Sequence, residues 1–478
     1  MPVKRTISKI MVSTHPAGVQ NSGRQYLPNS TSATANRSPN QELLPLTARI
    51  NSHDCLEIGG CDVTTLVRQF GSPLYILDEE TLRMACRQYR DACKRYYPGE
   101  SQVLYASKAW SCLAVCAIAA SEGLGIDVVS GGELYTALQA GVSPDKIYLH
   151  GNNKSSEELT LAIETGCTIV VDNWQELHTL VGNACPPSQP IRIMLRLTPG
   201  IECHTHEYIR TGHLDSKFGF DPNQLDEVFG FVSQQSGFNF VGLHAHIGSQ
   251  IFESQPHQDL AGVMVQWLNK ASRYNLSVTE LNVGGGLGIR YTESDDPPSI
   301  EEWVKTISEA IKDAATAQQL SLPKLLCEPG RSLIGEACVT AYTIGSSKVV
   351  PEIRTYVAID GGMSDNPRPI TYQSVYRAVV GNRMSAPLEK TVTIAGKHCE
   401  SGDILIKDIQ LPQTKPGDIL VVMGTGAYNY SMASNYNRLP RPAAVVVSAG
   451  EANLILRRET YQDLIRQDCL PGRLKSEQ

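Results

Sequence analysis

Eight times between residues 103 and 331 a short apolar run is followed by a different kind of segment, in most cases one of helical length. The apolar runs are 103–107, 125–129, 146–149, 168–171, 191–197, 240–245, 280–283 and 324–327. They are rich in Val, Ile, Leu and Tyr and too short for helices, so they read as buried strands. Among the gaps, 132–140, 155–164, 173–181 and 300–315 are helix-length. Eight such units over about 250 residues fit a closed (β/α)8 barrel better than an open doubly wound sheet. Upstream, 62–70 and 73–77 read as strands, and Asp78 caps a helix over 79–96. After Arg331 the texture changes to strand-like pieces at 339–350, 355–359, 390–394, 403–405, 418–423 and 443–447, separated by Gly, Pro and Asn turns. The expected class is therefore α/β plus all-β: a TIM-type barrel followed by a C-terminal β-domain, with a seam where a site commonly lies.

Composition excludes some functions. A net charge of −7 argues against a nucleic-acid binder, and no apolar run approaches a membrane span of roughly 18 residues. The 13 cysteines form no CxxC pair and follow no secretory signal, which points to a reducing, cytoplasm-like compartment. Residues 1–41 are basic, rich in Ser, Thr and Asn, and contain no acid, so disorder is expected there. A plastid or mitochondrial transit peptide, or a true start at Met11, are the other readings of that stretch.

Barrel enzymes carry their chemistry at the C-terminal ends of the strands. Here those positions hold Lys108, Asp127, His150, Asp172, Arg196, His246, Gly284-Gly285-Gly286 and Glu328. Lys108 closes the run Val103-Leu104-Tyr105-Ala106-Ser107 and has two readings. It is a strand cap at the surface, or a desolvated amine whose lowered pKa makes it a nucleophile toward an aldehyde. The loops after the seventh and eighth strands, Gly284-Gly285-Gly286-Leu287-Gly288 and Glu328-Pro329-Gly330-Arg331, lie where barrels bind phosphate. Glycines there let successive N–H groups surround an anion, and Ser249 adds a hydroxyl. The run does not fit GxGxxG, because the third glycine would fall at Ile289. An amine, an anion cradle and a carboxylate in one mouth suit pyridoxal phosphate, with Glu328 on the pyridine nitrogen and His246 stacked on the ring.

Several longer motifs carry a resemblance. They are Tyr105-Ala106-Ser107-Lys108, His246-Ile247-Gly248-Ser249-Gln250, the two phosphate loops, Met363-Ser364-Asp365-Asn366-Pro367-Arg368, Cys399-Glu400-Ser401-Gly402-Asp403 and Gly426-Ala427-Tyr428. Over residues 53–450 the chain resembles the alanine-racemase-like (fold type III) pyridoxal-phosphate decarboxylases, and within them the branch acting on diaminopimelate. The resemblance implies decarboxylation of meso-2,6-diaminopimelate to L-lysine, the last step of lysine biosynthesis. It implies that Lys108 holds the cofactor covalently, His246 stacks on it and Glu328 binds its nitrogen. Ser249, Gly285, Gly286, Gly330 and Arg331 would hold the phosphate region, with Asp127 and Arg196 nearby. Arg331, Arg368 and Tyr372 would grip the distal carboxylate of the substrate, and Tyr428 would touch cofactor and substrate. Cys399 as proton donor and Glu400 as partner of the distal ammonium would come from the second subunit of a head-to-tail homodimer. The implied organisation is a disordered extension over 1–45, strands joining the β-domain over 46–78, the cofactor-binding barrel over 79–335 and the β-domain over 336–478.

Charge supports the diacid. A second amino-acid head needs a cation for its carboxylate, which Arg368 supplies, and an anion for its ammonium, which Glu400 supplies. Relatives acting on ornithine or lysine typically have aspartate after the cysteine. A decarboxylase of another basic amino acid, a carboxynorspermidine-type enzyme and a homologue without turnover are the rivals. A racemase of this fold would set arginine, not Glu328, against the ring nitrogen. Cys203, His204 and His206 lack a second ligand cluster and read as a solvent-side loop, so no metal is expected.

Overall fold

The first barrel strand, Ser101–Ala106, shows why the apolar runs close into a ring. Leu104 points inward to meet Tyr148, Val170, Met194, Val241 and Leu326. Val103 and Tyr105 point outward into the cluster shared with the surrounding helices. Alternating side chains on a strand covered on both faces must all be apolar, so the sequence shows a continuous run. The other strands are Gly125–Val128, Ile147–Leu149, Thr168–Val171, Ile191–Arg196, Phe238–His244, Glu280–Asn282 and Lys324–Cys327. Each pairs in parallel with its chain neighbours, and Leu325 pairs with Ser101 to close the barrel. The alternative of an open sheet is thereby excluded. This computed structural model describes residues 21–28, 37–182, 190–201 and 216–474; Cys203, His204 and His206 lie outside them. Among the described residues no helix is long and apolar enough to cross a membrane.

The second domain is a nine-stranded sheet that recruits one strand from before the barrel. Leu74–Asp78 lies between Cys338–Val350, antiparallel to it, and Ala443–Ser448, parallel to it. Two strands of this sheet, Ala378–Val380 and Glu451–Leu456, escaped the sequence reading. The first is three residues long, and the second is an edge strand whose alternation is blurred by exposure on both faces.

Two expectations are corrected. Residues 62–70 are not a strand: Val63–Phe70 is a helix. Its β-branched content suggests a strand, but Asp62 accepts a hydrogen bond from Thr65 N at 2.8 Å as N-cap, and Val63, Leu66 and Val67 bury one helical face. Nor does disorder extend through residue 45. Ser22 bridges to Pro387, and Tyr26 packs into the β-domain core. Asn40 is fully buried, and its Nδ2 donates to Gly288 O at 3.1 Å and Pro298 O at 2.9 Å. Ser38 Oγ donates to Asn40 Oδ1 at 2.6 Å and accepts from Ile300 N at 2.9 Å. A stretch this poor in apolar residues docks because its few buried polar groups are satisfied, a property that average hydrophobicity does not register.

His257, buried behind Gly286 and edge-on to Trp303, has no hydrogen-bond partner for either ring nitrogen. Burial pushes its pKa down to about 4. The unfolded chain takes up this proton near pH 6.5 and the folded chain only near 4, so this histidine leaves stability unchanged above about 6.5. Stability is expected to fall through that window, by on the order of 3 kcal/mol once both values are passed. His257→Phe, a ring that does not titrate, should flatten this part of a denaturation profile measured against pH.

Candidate active site

Every barrel strand delivers a polar group to one mouth. Lys108 follows the first strand, Asp127 lies near the end of the second, and His150 and Asp172 follow the third and fourth. Arg196, His244 and Asn282 end the fifth, sixth and seventh, and Glu328 follows the eighth. A cavity of about 500 Å³ opens here, lined by Lys108, Asp127, His150, Arg196, His244, His246, Ser249 and Glu328 from the barrel. Arg331 begins a short helix after the last strand, and Arg368, Tyr372, Tyr428 and Met432 come from the β-domain. The site therefore lies on the seam between domains.

Lys108 is exposed toward the cavity, whose wall it forms together with Asp127, Glu328 and Tyr428. Burial pulls its pKa down, but Asp127, Tyr428 and Glu328 outweigh burial and hold it above the ordinary lysine value. The expectation that desolvation alone lowers this pKa is thus overturned by the acids around it. Asp127 is itself pushed up to about 6 by burial, and its Oδ1 has no hydrogen-bond partner.

Glu328 is the most heavily supported group. Asn282 Nδ2 donates to its Oε1 at 2.6 Å, and His244 Nε2 meets its Oε2 at 3.1 Å. His150 Nε2 lies 2.8 Å from Oε1, a close contact rather than an aligned hydrogen bond. Burial alone would raise the pKa of Glu328, but the two histidines hold it well below the usual carboxylate range. His244 is pushed down to about 3 by burial, so it meets the carboxylate as a neutral N–H donor. The ligand atoms of His150, His244 and Glu328 lie within 4.8 Å of one another, a spacing that also suits a metal ion and that the sequence did not suggest.

A smaller cavity continues from the first, lined by Lys108, His246, Ser249, Gly285, Gly286, Glu328, Gly330 and Arg331. At Gly286, φ is +127°, and a Cβ would stand 3.0 Å from Gly248 O and 3.1 Å from His257. Only glycine lets the backbone approach this closely. Gly285 N donates to His246 Nδ1 at 3.3 Å, which leaves the His246 proton on Nε2. Burial holds that ring well below its ordinary pKa and hence neutral. Arg331 Nε and Nη2 lie 3.1 and 3.0 Å from Ser249 Oγ, and its Nη1 donates to Tyr291 OH at 2.7 Å.

These residues fit pyridoxal phosphate. A glycine cradle with Ser249 and Arg331 suits a phosphate, Lys108 suits an aldehyde, and an anionic Glu328 suits a protonated ring nitrogen. The orphaned Asp127 Oδ1 offers a second buried acceptor to the same cationic ring.

The β-domain side is cationic. Arg368 is buried, its Nη2 donates to Ser374 Oγ at 3.1 Å, and its Nε has no partner. Tyr291, Tyr372 and Tyr428 surround its guanidinium at 5.8, 5.4 and 5.8 Å. Burial opposes its charge, yet Tyr291, Tyr376 and Tyr428 raise its pKa above the ordinary arginine value. Among the described residues no carboxylate pairs with it. Tyr428 has φ +61°, a strained backbone for a tyrosine, and its N–H donates to Ala109 O at 2.8 Å, next to Lys108.

The expected site residues divide into two groups. All those assigned to the barrel, with Arg331, Arg368, Tyr372 and Tyr428, converge on the two cavities. Cys399 and Glu400 do not: they lie exposed on the turn between strands Lys390–Ala395 and Ile404–Leu411 and line neither cavity. His150 is at the strand end where it is expected, though with no role assigned to it from sequence, and His244 and Asn282 are site residues that no motif announces. His244 stands two residues before His246, and a strand's period of two puts both on the face that reaches the mouth. Asn282, polar in a buried run, carried a similar signal.

Comparison with known proteins agrees with this geometry. Residues 80–335 match the family described as "Pyridoxal-dependent decarboxylase, pyridoxal binding domain". The diaminopimelate decarboxylase of Synechocystis sp. is 66% identical over 450 residues, covering 92% of this chain and 96% of that protein. The diaminopimelate decarboxylase of Bacillus subtilis is 49% identical over 428 residues, 88% of this chain and 97% of that protein. The crystal structure of diaminopimelate decarboxylase from M. jannaschii in co-complex with L-lysine superposes with a TM-score of 0.84 at 32% identity, over 92% of this chain and 100% of that one. With a closed barrel, a pyridoxal-binding match over more than half its length and this degree of identity, the chain belongs to the diaminopimelate decarboxylase family of pyridoxal-dependent enzymes.

Proposed function

We propose that the chain decarboxylates meso-2,6-diaminopimelate to L-lysine and CO2, with pyridoxal phosphate held at Lys108, in a homodimer whose subunits complete each other's sites. The observation that carries the substrate is Arg368, a buried guanidinium with an unpartnered Nε and no counter-charge among the described residues. A buried cation left without an anion is costly, and a distal substrate carboxylate removes that cost.

Pyridoxal phosphate, when bound, supplies an aldehyde for the amino group and a ring that accepts the electron pair left on Cα as CO2 departs. Glu328, kept charged by its two histidines, would hold a proton on the ring nitrogen. Ser249, the glycines and Arg331 would fix the phosphate. His246, neutral and tied to Gly285, would press its face on the ring. The proton returned to Cα is assigned to the Cys399 thiol of a second subunit, with that subunit's Glu400 receiving the distal ammonium. Exposure of both residues, away from their own cavity, supports lending to a neighbour.

Arg368→Leu tests the substrate. KM for diaminopimelate is expected to rise about 10²-fold, the usual cost of removing one partner from a buried charge pair. The wild-type protein should turn over lysine, ornithine and arginine poorly. Faster turnover of any of these than of diaminopimelate would overturn the assignment.

A further inference from the structure

Asp403 ties together two loops that serve different purposes. Its Oδ1 accepts from Met363 N at 2.7 Å. Its Oδ2 accepts from His398 N at 3.0 Å and lies 2.7 Å from His398 Nδ1. Both side chains are buried, and the Nε2 of His398 has no hydrogen-bond partner. Tyr436 stacks on the imidazole at 6.0 Å and 15°. A Cβ on Gly362 or Gly396 would collide with the Asp403 carboxylate, so both loops are built from glycine where they approach it.

The loop starting at Met363 leads to Arg368. Gly362 N donates to Asp365 Oδ1 and Asn366 N to Gly362 O, both at 2.9 Å, and this turn delivers the helix Arg368–Tyr372 to the cavity. The loop starting at His398 carries Cys399 and Glu400. Asp403 N donates to Glu400 O at 3.1 Å, and Cys399 N donates to Asn437 Oδ1 at 2.9 Å. A single carboxylate thus fixes the root of the loop that presents Arg368 and the root of the loop that presents Cys399.

We propose that Asp403, with His398, is a positioning residue for two active sites at once: it orients Arg368 in the site of its own subunit and Cys399-Glu400 in the site of the other. This rests on the shared-site reading above. A displacement of either loop by about an ångström is enough to cost a large rate factor, so a shared anchor links the two sites mechanically.

The test uses mixed dimers in the presence of pyridoxal phosphate. One subunit carries Lys108→Ala and lends an intact Cys399; the other carries Cys399→Ala and keeps an intact Lys108. Such a dimer has one complete site. Asp403→Asn removes the negative charge to which both loops bond and replaces one acceptor oxygen by a donor, so the anchor is weakened on both sides. Placed in the lending subunit it is expected to lower kcat at least about tenfold through Cys399, with a smaller rise in KM through Glu400. Placed in the lysine-bearing subunit it is expected to raise KM for diaminopimelate by a similar factor. An effect from one placement only, or the same change in kcat and KM from both, overturns the proposal. A mixed dimer inactive before Asp403 is touched would instead overturn the shared site on which it rests. Should Asp403→Asn fail to assemble, His398→Gln, which leaves the Met363 bond in place, is expected to give the kcat loss from the lending subunit. A rise in KM of equal size from that variant would also overturn the proposal.

Discussion

Lys108→Ala is expected to abolish the visible absorbance that pyridoxal phosphate acquires on the wild-type protein and to lower kcat by about 10⁴-fold or more. Among the described residues no other lysine is placed to substitute. Lys217 also lines the cavity, but beside Phe218, which it overlies at 4.9 Å, and it belongs to none of the motifs at the strand ends. Lys154 is committed elsewhere, donating to Gly151 O, Val170 O and Glu176 Oε1 at 2.8, 2.8 and 2.7 Å. The phosphate cradle is untouched by the mutation, so the variant should still retain the cofactor noncovalently. Spectrophotometry of the dialysed protein separates the two effects. A variant spectrum identical to that of the wild type would remove the central assignment.

Cys399→Ala should lower kcat by about 10² to 10³-fold, the range for losing a positioned proton donor, while leaving the Lys108 absorbance intact. The thiol is exposed in the single chain, as a group lent to another subunit has to be before assembly. Mixing this variant with Lys108→Ala should recover activity that neither shows alone. Steady-state assays before and after mixing measure this. Undiminished turnover by Cys399→Ala would place the proton donor elsewhere.

Most of the barrel was legible because its strands are buried on both faces and appear as unbroken apolar runs, as Val103 to Ala106 do. The mouth was legible because one polar residue ends each run. What stayed hidden depended on partners distant in the chain. Nothing near Asn40 announces that its amide closes on Gly288 and Pro298. The sign of the Lys108 shift could not be read locally, because it is decided by Asp127, Tyr428 and Glu328. Val63–Phe70 misled because β-branched residues suit both a strand and the buried face of a short capped helix. His150 stood among the strand ends, but its closeness to Glu328 depends on the ring being closed.

The placement of Leu74–Asp78 has a consequence for biosynthesis. This segment leaves the ribosome before any barrel strand, yet its two sheet neighbours, Cys338–Val350 and Ala443–Ser448, emerge only after the whole barrel has been made. The nascent chain therefore carries an apolar strand with both edges unsatisfied throughout most of translation, a template for misassociation that chaperones are suited to shield. Cutting the gene after the barrel would make that transient exposure permanent.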